Sequence, residues 1–211
     1  NVTDPKSWGS KTSGLKNDYA EDFFETGITA IQSLSLMAGN EKAQTYMSYA
    51  NTVVNGVVPD NRLVRNNFNV KETAKFLDDK LTVSASINLS DQRIWNRPVN
   101  GLYSNPLTGL YLNPVGIDLD AYKKMEYFNA DLNMMDQYAT SFDENIQQNP
   151  YWLTSRNQTK DVAQRAVASA SIKYQILENL SIQSRGSYDK SFFTYDNRMH
   201  AGTDLTLSPA T

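Results

Sequence analysis

The sequence of 211 residues predicts an all-β fold of about six antiparallel strands, and its pattern favours a transmembrane β-barrel over a soluble sandwich or jelly roll. Three observations predict this fold. Long stretches of the chain alternate apolar and polar residues with a period of two, as strands with one apolar and one polar face do. Short and long connections between these stretches follow one another in turn. The stretches also suit a tilted bilayer crossing of about 9–11 residues, whereas strands of soluble proteins average about 5–6.

The predicted elements begin after an irregular segment. Residues 1–26 contain Pro5, Gly9 and Gly14 among scattered polar residues and have no apolar period, which indicates a linker. A partial barrel is predicted over residues 27–195. Its strands are predicted at residues 28–38, 42–54, 62–76, 81–90, 162–176 and 180–189.

Strand 81–90 shows the alternation most clearly. One face carries Leu81, Val83, Ala85, Ile87 and Leu89, and the other carries Thr82, Ser84, Ser86, Asn88 and Ser90. In a transmembrane barrel the outward face meets lipid and the inward face lines the lumen. We therefore expect the apolar set to face lipid and the hydroxyl-rich set to face the lumen.

The predicted connections differ in length in a regular way. Tight turns are predicted at residues 39–41, 77–80 and 178–179, and longer loops at 55–61, 93–160 and from 196 to 211. Outer-membrane barrels place their short turns on the periplasmic side and their long loops outside the cell. Loop 93–160 is therefore expected to be extracellular.

Loop 93–160 is rich in aromatic residues. Aromatic and polar side chains in such loops stack on and hydrogen-bond to sugars or peptides. The candidates for contact with a substrate or a protein lid are Trp95, Arg97, Tyr103, Asn105, Tyr111, Asn113, Tyr151 and Trp152. Alternatively, these aromatic residues only pack the long loop against itself. Asp118 is expected to cap a short helix that carries Leu119, Tyr122 and Met125.

Composition excludes several classes of protein. With 20 Lys and Arg against 23 Asp and Glu, the net charge of -3 gives no basic surface for nucleic acid. The absence of cysteine removes disulfides and thiolate metal sites. The one histidine, His200, has no second histidine and no nucleophile motif beside it. No catalytic residue, metal ligand or cofactor site is therefore predicted, and the protein is not expected to be an enzyme.

Seven short motifs, spread over most of residues 8–190, carry a family resemblance. They are DFFETG (22–27), SLMAGNE (35–41), TYMSYANT (45–52), NGVVP (55–59), DKLTV (79–83), NPLTGLY (105–111) and QNPYW (148–152). Each motif is a short turn or strand sequence, and the seven motifs occur in the same order as in one family. In this ordered set the chain resembles the SusC/RagA-type TonB-dependent outer-membrane transporters of Bacteroidetes.

The resemblance implies an outer-membrane barrel of about 22 strands that encloses an N-terminal plug. It implies active import of oligosaccharides or peptides as nutrients, energised by TonB through a segment outside this sequence. A SusD-like surface lipoprotein would act as the lid, and the lipid bilayer would surround the strands. By this reading residues 1–26 link the plug to the barrel, and the chain covers about the first six strands.

A second reading comes from a different class of protein. The same aromatic loop would serve a soluble or surface-attached all-β module that binds glycans. Solubility separates the two readings, because such a module is a soluble monomer, whereas barrel strands need detergent to cover their lipid-facing side.

Overall fold

A computed structural model of the chain describes residues 20–113, 119–138 and 146–204. Six long strands form one sheet: β1 (Ile28–Gly39), β2 (Ala43–Asn55), β3 (Arg62–Phe76), β4 (Leu81–Trp95), β7 (Gln158–Leu177) and β8 (Leu180–Arg198). The connection from β4 to β7 carries α1 (Pro106–Leu112), α2 (Leu119–Tyr122), β5 (Glu126–Asn129), β6 (Met134–Gln137) and α3 (Pro150–Ser155). A 3-10 turn, Glu21–Phe23, precedes β1.

The sheet is an antiparallel meander with the strand order β1-β2-β3-β4-β7-β8. β5 and β6 form a separate two-stranded hairpin. Strands β4 and β7 pair across the long connection, and the other strands of the sheet pair with their neighbours in sequence. The predicted all-β class and its antiparallel pairing are confirmed.

The predicted strands are too short at one end of the sheet. β4 continues to Trp95, β7 begins at Gln158, and β8 continues to Arg198. Polar residues occupy both faces in these extensions, so the alternation ends although the backbone ladder continues. The long loop therefore spans residues 96–157 rather than 93–160.

Most apolar residues of the six strands lie on one face of the sheet. In the register, Leu89 lies opposite Phe68 of β3 and Ala166 of β7. We call this surface the apolar band: Leu34, Leu36, Met47, Tyr49, Phe68, Val70, Phe76, Leu81, Val83, Ile87, Leu89, Ala166, Ala168, Ala170, Ile172, Tyr174, Ile176, Ile182 and Tyr188. Glu72 interrupts the band, and its carboxylate accepts a hydrogen bond from the Thr45 hydroxyl.

The opposite face of the sheet is mainly polar, although it also carries Ile31, Met37 and Phe193. Ser86 and Ser169 share a hydrogen bond of 2.8 Å between their hydroxyls, and Thr73 and Ser84 share one of 3.2 Å. The even-numbered residues of β4 from Thr82 to Ser90 lie on this face, and the apolar residues of β4 lie on the other. The predicted two-faced strand is therefore present, and we call this surface the polar face.

The short and long connections lie at opposite ends of the sheet. Residues 40–42, 77–80 and 178–179 close tight turns at one end, whereas 56–61, 96–157 and 199–204 lie at the other. The segment before β1 is also at the long-loop end, where the Glu25 N–H donates to the Val57 carbonyl at 2.8 Å. The predicted alternation of connections is thus confirmed.

The sheet is open. β1 and β8 are its outer strands, and among the described residues each of them pairs along one side only. Backbone N–H and C=O groups along the free sides need partners, because an unpaired strand edge recruits another strand. The six strands therefore form an open sheet and not a closed barrel.

Candidate functional site

The described residues of the long loop pack into a cap at the long-loop end of the sheet. Its buried apolar residues, which we call the cap core, are Leu110, Leu119, Tyr122, Trp152 and Leu153, joined by Phe23 and Val58. Phe23 precedes β1 and Val58 lies between β2 and β3, so the cap binds three separate chain segments together. The buried apolar residues described in the structure belong to this cap, and the sheet itself has no covered apolar core.

Two Asn-Pro pairs start the main helices of the cap. The Asn105 side chain accepts a hydrogen bond from the Leu107 N–H at 3.0 Å and caps α1. The Asn149 side chain accepts from the N–H groups of Tyr151 and Trp152 at 2.9 and 3.3 Å and caps α3. Proline occupies the first helical position in both cases, where its missing N–H costs nothing.

Trp152 ties α3 to the segment that follows β8. Its side chain is 0% exposed, and its indole N–H donates to the Thr203 hydroxyl at 2.9 Å. Its ring meets the His200 ring edge to face, with 5.1 Å between the ring centres. The aromatic ring thus fixes the exit of β8 against the cap.

A buried network of side-chain amides supports the cap. The Gln137 amide donates to the Gln148 side-chain oxygen at 3.1 Å and accepts from the Asn149 N–H at 3.0 Å. The Asn149 amide donates to the carbonyls of Tyr122 and Tyr138 at 2.9 and 2.6 Å. Buried amides need such partners because an unmade hydrogen bond in a core is costly.

Asn96 joins the loops at the top of the sheet. Its side-chain oxygen accepts from the Thr159 N–H at 3.0 Å, and its amide donates to the carbonyls of Asp60 and Thr154 at 3.3 and 3.2 Å. Asn61 donates to the Asn96 carbonyl at 2.9 Å. The two ends of the long loop are therefore held beside the β2–β3 loop.

Ion pairs and burial set the electrostatics of the cap. Arg156 holds Glu126 through two hydrogen bonds, one of them 2.7 Å, and this bonding raises the pKa of the Arg156 guanidinium. Arg97 pairs with the buried carboxylate of Asp161. Burial against Phe23, with 5.2 Å between ring centres, raises the pKa of the Tyr151 phenol.

The structure separates the eight predicted contact residues into five that support the cap, two exposed tyrosines, and Trp95 on the sheet. Asn113 and Trp152 are buried, Asn105 caps α1, Tyr151 packs on Phe23, and Arg97 pairs with Asp161, so these five hold the cap together. Tyr103 and Tyr111 are 48% and 61% exposed. Trp95 lies on the same side of the sheet as the apolar band. Contact of any of the eight with a substrate or a lid stays a prediction.

Tyr103 lies shortly before α1, and Tyr111 lies in its last turn. Leu102, Tyr103, Tyr111 and Leu112 are all exposed, and we call them the α1 patch. Asn105 donates to the Gly101 carbonyl at 2.8 Å and so ties the preceding bend to the helix. Exposed apolar and aromatic side chains on a rigid support are typical of binding surfaces.

The predicted helix capped by Asp118 is present in part. α2 contains Leu119 and Tyr122, both buried, but ends before Met125, which has a positive φ of 41°. Asp118 lies outside the described residues. A turn at Lys123 and Lys124 ends this helix and directs the chain into the β5–β6 hairpin.

Several residues that build the cap were missed at the sequence level. Gln137, Gln148 and Asn96 have no local pattern that marks them, because their partners are distant in the chain. The caps of α1 and α3 did have a signal, since asparagine followed by proline is typical of a helix start.

Comparison with known proteins assigns no chemistry to the chain. No protein-family model and no curated protein matches the chain. In the part of the chain that the structure describes, no three His, Cys, Asp or Glu residues are grouped so as to hold a metal ion. None of the described helices is long and apolar enough to cross a membrane.

Proposed function

We propose that the chain forms part of the wall and the external loops of an outer-membrane, TonB-dependent transporter of the SusC/RagA type. It would import oligosaccharides or peptides together with a SusD-like lipoprotein. The observation that carries this proposal is the apolar band. It crosses all six strands, is largely exposed, and has no described element packed over it.

The dimensions of the band suit a bilayer. On β7 it runs from Ala166 to Ile176, about 33 Å along the strand and about 25 Å in height at a typical barrel tilt of about 40°. This is the height of the apolar zone of outer-membrane barrels, about 25 Å. Aromatic residues also lie near its margins, with Tyr49 and Phe68 at one side and Phe76 and Tyr174 at the other, as in barrel girdles.

The polar face and the two unequal ends support the same proposal. A lumen wall needs polar side chains, and the serine and threonine pairs on the polar face supply them. Short turns at one end would face the periplasm, and the cap would then lie outside the cell. The free edges of β1 and β8 would pair with further strands of the barrel.

The α1 patch is the part of the cap best suited to recognition. Tyr103 and Tyr111 would contact the lid lipoprotein or the substrate through stacking and hydrogen bonds. The second candidate function is a soluble or surface-attached glycan-binding module. It would use the same two exposed tyrosines to stack on its ligand. The second candidate needs another layer of protein over the apolar band, because an uncovered band of this size aggregates in water.

Spin labels at Ala85 and Ser86 test the proposed function. These adjacent residues lie on opposite faces of β4. In the full-length protein reconstituted into vesicles, the label at position 85 is expected to collide with oxygen dissolved in lipid. The label at position 86 is expected to collide with a water-soluble nickel complex. Equal accessibility of the two labels to both reagents would show that this sheet does not line a membrane.

Alanine substitutions test the role of the α1 patch. Tyr103→Ala and Tyr111→Ala are each expected to weaken lid or substrate binding by about 1–3 kcal/mol, because aromatic anchors at an interface carry much of its binding energy. Pull-down of the lid and calorimetry with the substrate measure the two effects. Tyr188→Ala is the control, since this tyrosine is equally exposed but lies in the apolar band. Unchanged affinity in both assays would leave the patch without a recognition role.

A further inference from the structure

Three cations lie on the polar face near the end of the sheet where the tight turns close, which we call the short-turn end. Lys71 is on β3, Lys173 on β7 and Arg185 on β8, and the register places all three on the same face as the serines and threonines of β4. Their side chains are exposed. We call these three residues the cation cluster.

The charges of the cation cluster are not compensated within the described residues. None of the three cations forms an ion pair with a residue that the structure describes. Farther toward the long-loop end, by contrast, Arg165 of the polar face donates to the Asp189 carboxylate at 2.9 Å. Lys173 and Arg185 are diagonal neighbours on paired strands, close enough for their like charges to repel each other. An anion bound between these cations would relieve the repulsion.

All three cations line one cavity of about 420 Å³. Five hydroxyl side chains form much of its remaining wall: Thr82, Ser84, Ser86, Ser169 and Ser171. Among the described residues that line it, none is a carboxylate, an aromatic residue or a large apolar residue. A contact surface for another protein needs apolar side chains at its centre. The cavity therefore suits a hydrated anionic ligand rather than the surface of a protein.

A second cavity adjoins the first at Lys71. It has a volume of about 350 Å³ and is also lined by Tyr46, which lies opposite Lys71 on β2. The Tyr46 ring is half-buried, so part of it is open to a ligand. An aromatic ring beside an ammonium group can stack on a sugar ring while the cation holds an acidic group of the same molecule. The two cavities together suit an acidic saccharide of several units.

We propose that the cation cluster binds acidic oligosaccharides, whose sugar units carry carboxylate or sulfate groups. The anionic oxygens would accept hydrogen bonds from Lys71, Lys173 and Arg185, and the sugar hydroxyls would bond to the serine and threonine side chains of the cavity. The inference rests on the proposed function, because it requires the polar face to line the lumen through which the substrate passes. It narrows the substrate from oligosaccharides or peptides in general to anionic saccharides.

The test compares acidic oligosaccharides with neutral forms of the same length. Full-length protein in a neutral detergent is titrated by calorimetry with tetragalacturonate and its methyl ester, and with sulfated maltotetraose and maltotetraose itself. The first pair differs in carboxylate charge and the second in sulfate charge, so the two pairs identify the anionic group. At least one acidic probe is expected to bind about 25-fold more tightly than its neutral form, since each of three exposed ion pairs contributes about three-fold.

Two variants locate the binding site. The test variant replaces all three residues of the cation cluster: Lys71→Gln, Lys173→Gln and Arg185→Gln. It is expected to bind the acidic and neutral forms equally. A control variant removes equal charge from the opposite face of the sheet: Arg62→Gln, Lys160→Gln and Lys190→Gln. It is expected to keep the preference of the wild type for the acidic probe.

Three results would overturn the inference. The first is that neither acidic probe binds more tightly than its neutral form, which includes the case in which the cations hold an acidic part of the full-length protein itself. The second is a preference for the acidic probe that survives in the test variant or is lost in the control variant. The third is equally tight binding of tetraglutamate, which would show a site for acidic chains of any kind.

The spin labels at Ala85 and Ser86 test the proposed function separately. If the labels report lipid and water while the acidic probes show no preference, only the inference about the cation cluster fails. If the two labels report one environment, both proposals fail, because the polar face would then not line a lumen.

Discussion

Replacing Trp152 with alanine is expected to loosen the cap while the sheet stays intact. The substitution removes a fully buried indole, its hydrogen bond to Thr203 and its contact with His200. Truncation of a buried tryptophan costs about 3–5 kcal/mol. Hydrogen exchange measured by mass spectrometry is expected to show faster exchange in the cap, residues 96–157, and unchanged protection in β2, β3 and β4.

Two companion variants test the reason for this effect. Trp152→Phe keeps an aromatic ring but loses the indole N–H, so its effect should lie between those of wild type and Trp152→Ala. Tyr111→Ala removes an exposed ring from the same cap and should leave exchange unchanged. Normal protection of the cap in Trp152→Ala would contradict the structural role of this residue, and any ligand contact by Trp152 would then need a different explanation.

Replacing Ala168 with arginine is expected to destabilise the protein in a membrane by about 2 kcal/mol, because arginine on the lipid-facing side of a barrel costs about 2–4 kcal/mol at the midplane and less toward the interfaces. Ala168 lies in the apolar band between Ile87 and Tyr188 and has no carboxylate opposite it. Denaturant unfolding of the full-length protein in vesicles measures the change. Ser187→Arg on the polar face is the matched control and should cost less than about 1 kcal/mol. Equal costs for the two variants would contradict a lipid-facing band.

Much of the sheet was predictable from the sequence because each strand carries its own alternation. Strand β3 has its predicted bounds, 62–76, and the start of β4 at Leu81 also agrees. The extension of β4 to Trp95 was not predictable from alternation. There, polar side chains occur on both faces, and the strand continues through its backbone pairing with β3 and β7.

The cap was much less predictable than the sheet. Its stability comes from contacts between residues far apart in the chain, such as Phe23 with Tyr151 and Gln137 with the backbone of Gly202. No periodic pattern reports such contacts. The enrichment in aromatic residues identified the loop as unusual. It did not distinguish the buried Trp152 from the exposed Tyr111, because aromatic residues are expected both in a packed loop and in a binding surface.

The pairing of β4 with β7 has a consequence for the order of assembly. The β3–β4 and β7–β8 hairpins close tight turns, whereas β4 and β7 meet only after the chain has closed loop 96–157. Closing this loop costs about 2 kcal/mol more entropy than closing a four-residue turn. The mutual hydrogen bonds of Asn96 and Thr159, 2.9 and 3.0 Å long, hold the two loop ends together once the cap has folded. We therefore expect β4 and β7 to pair after the β3–β4 and β7–β8 hairpins have formed, and the cap then acts as a clasp that holds the two hairpin units together.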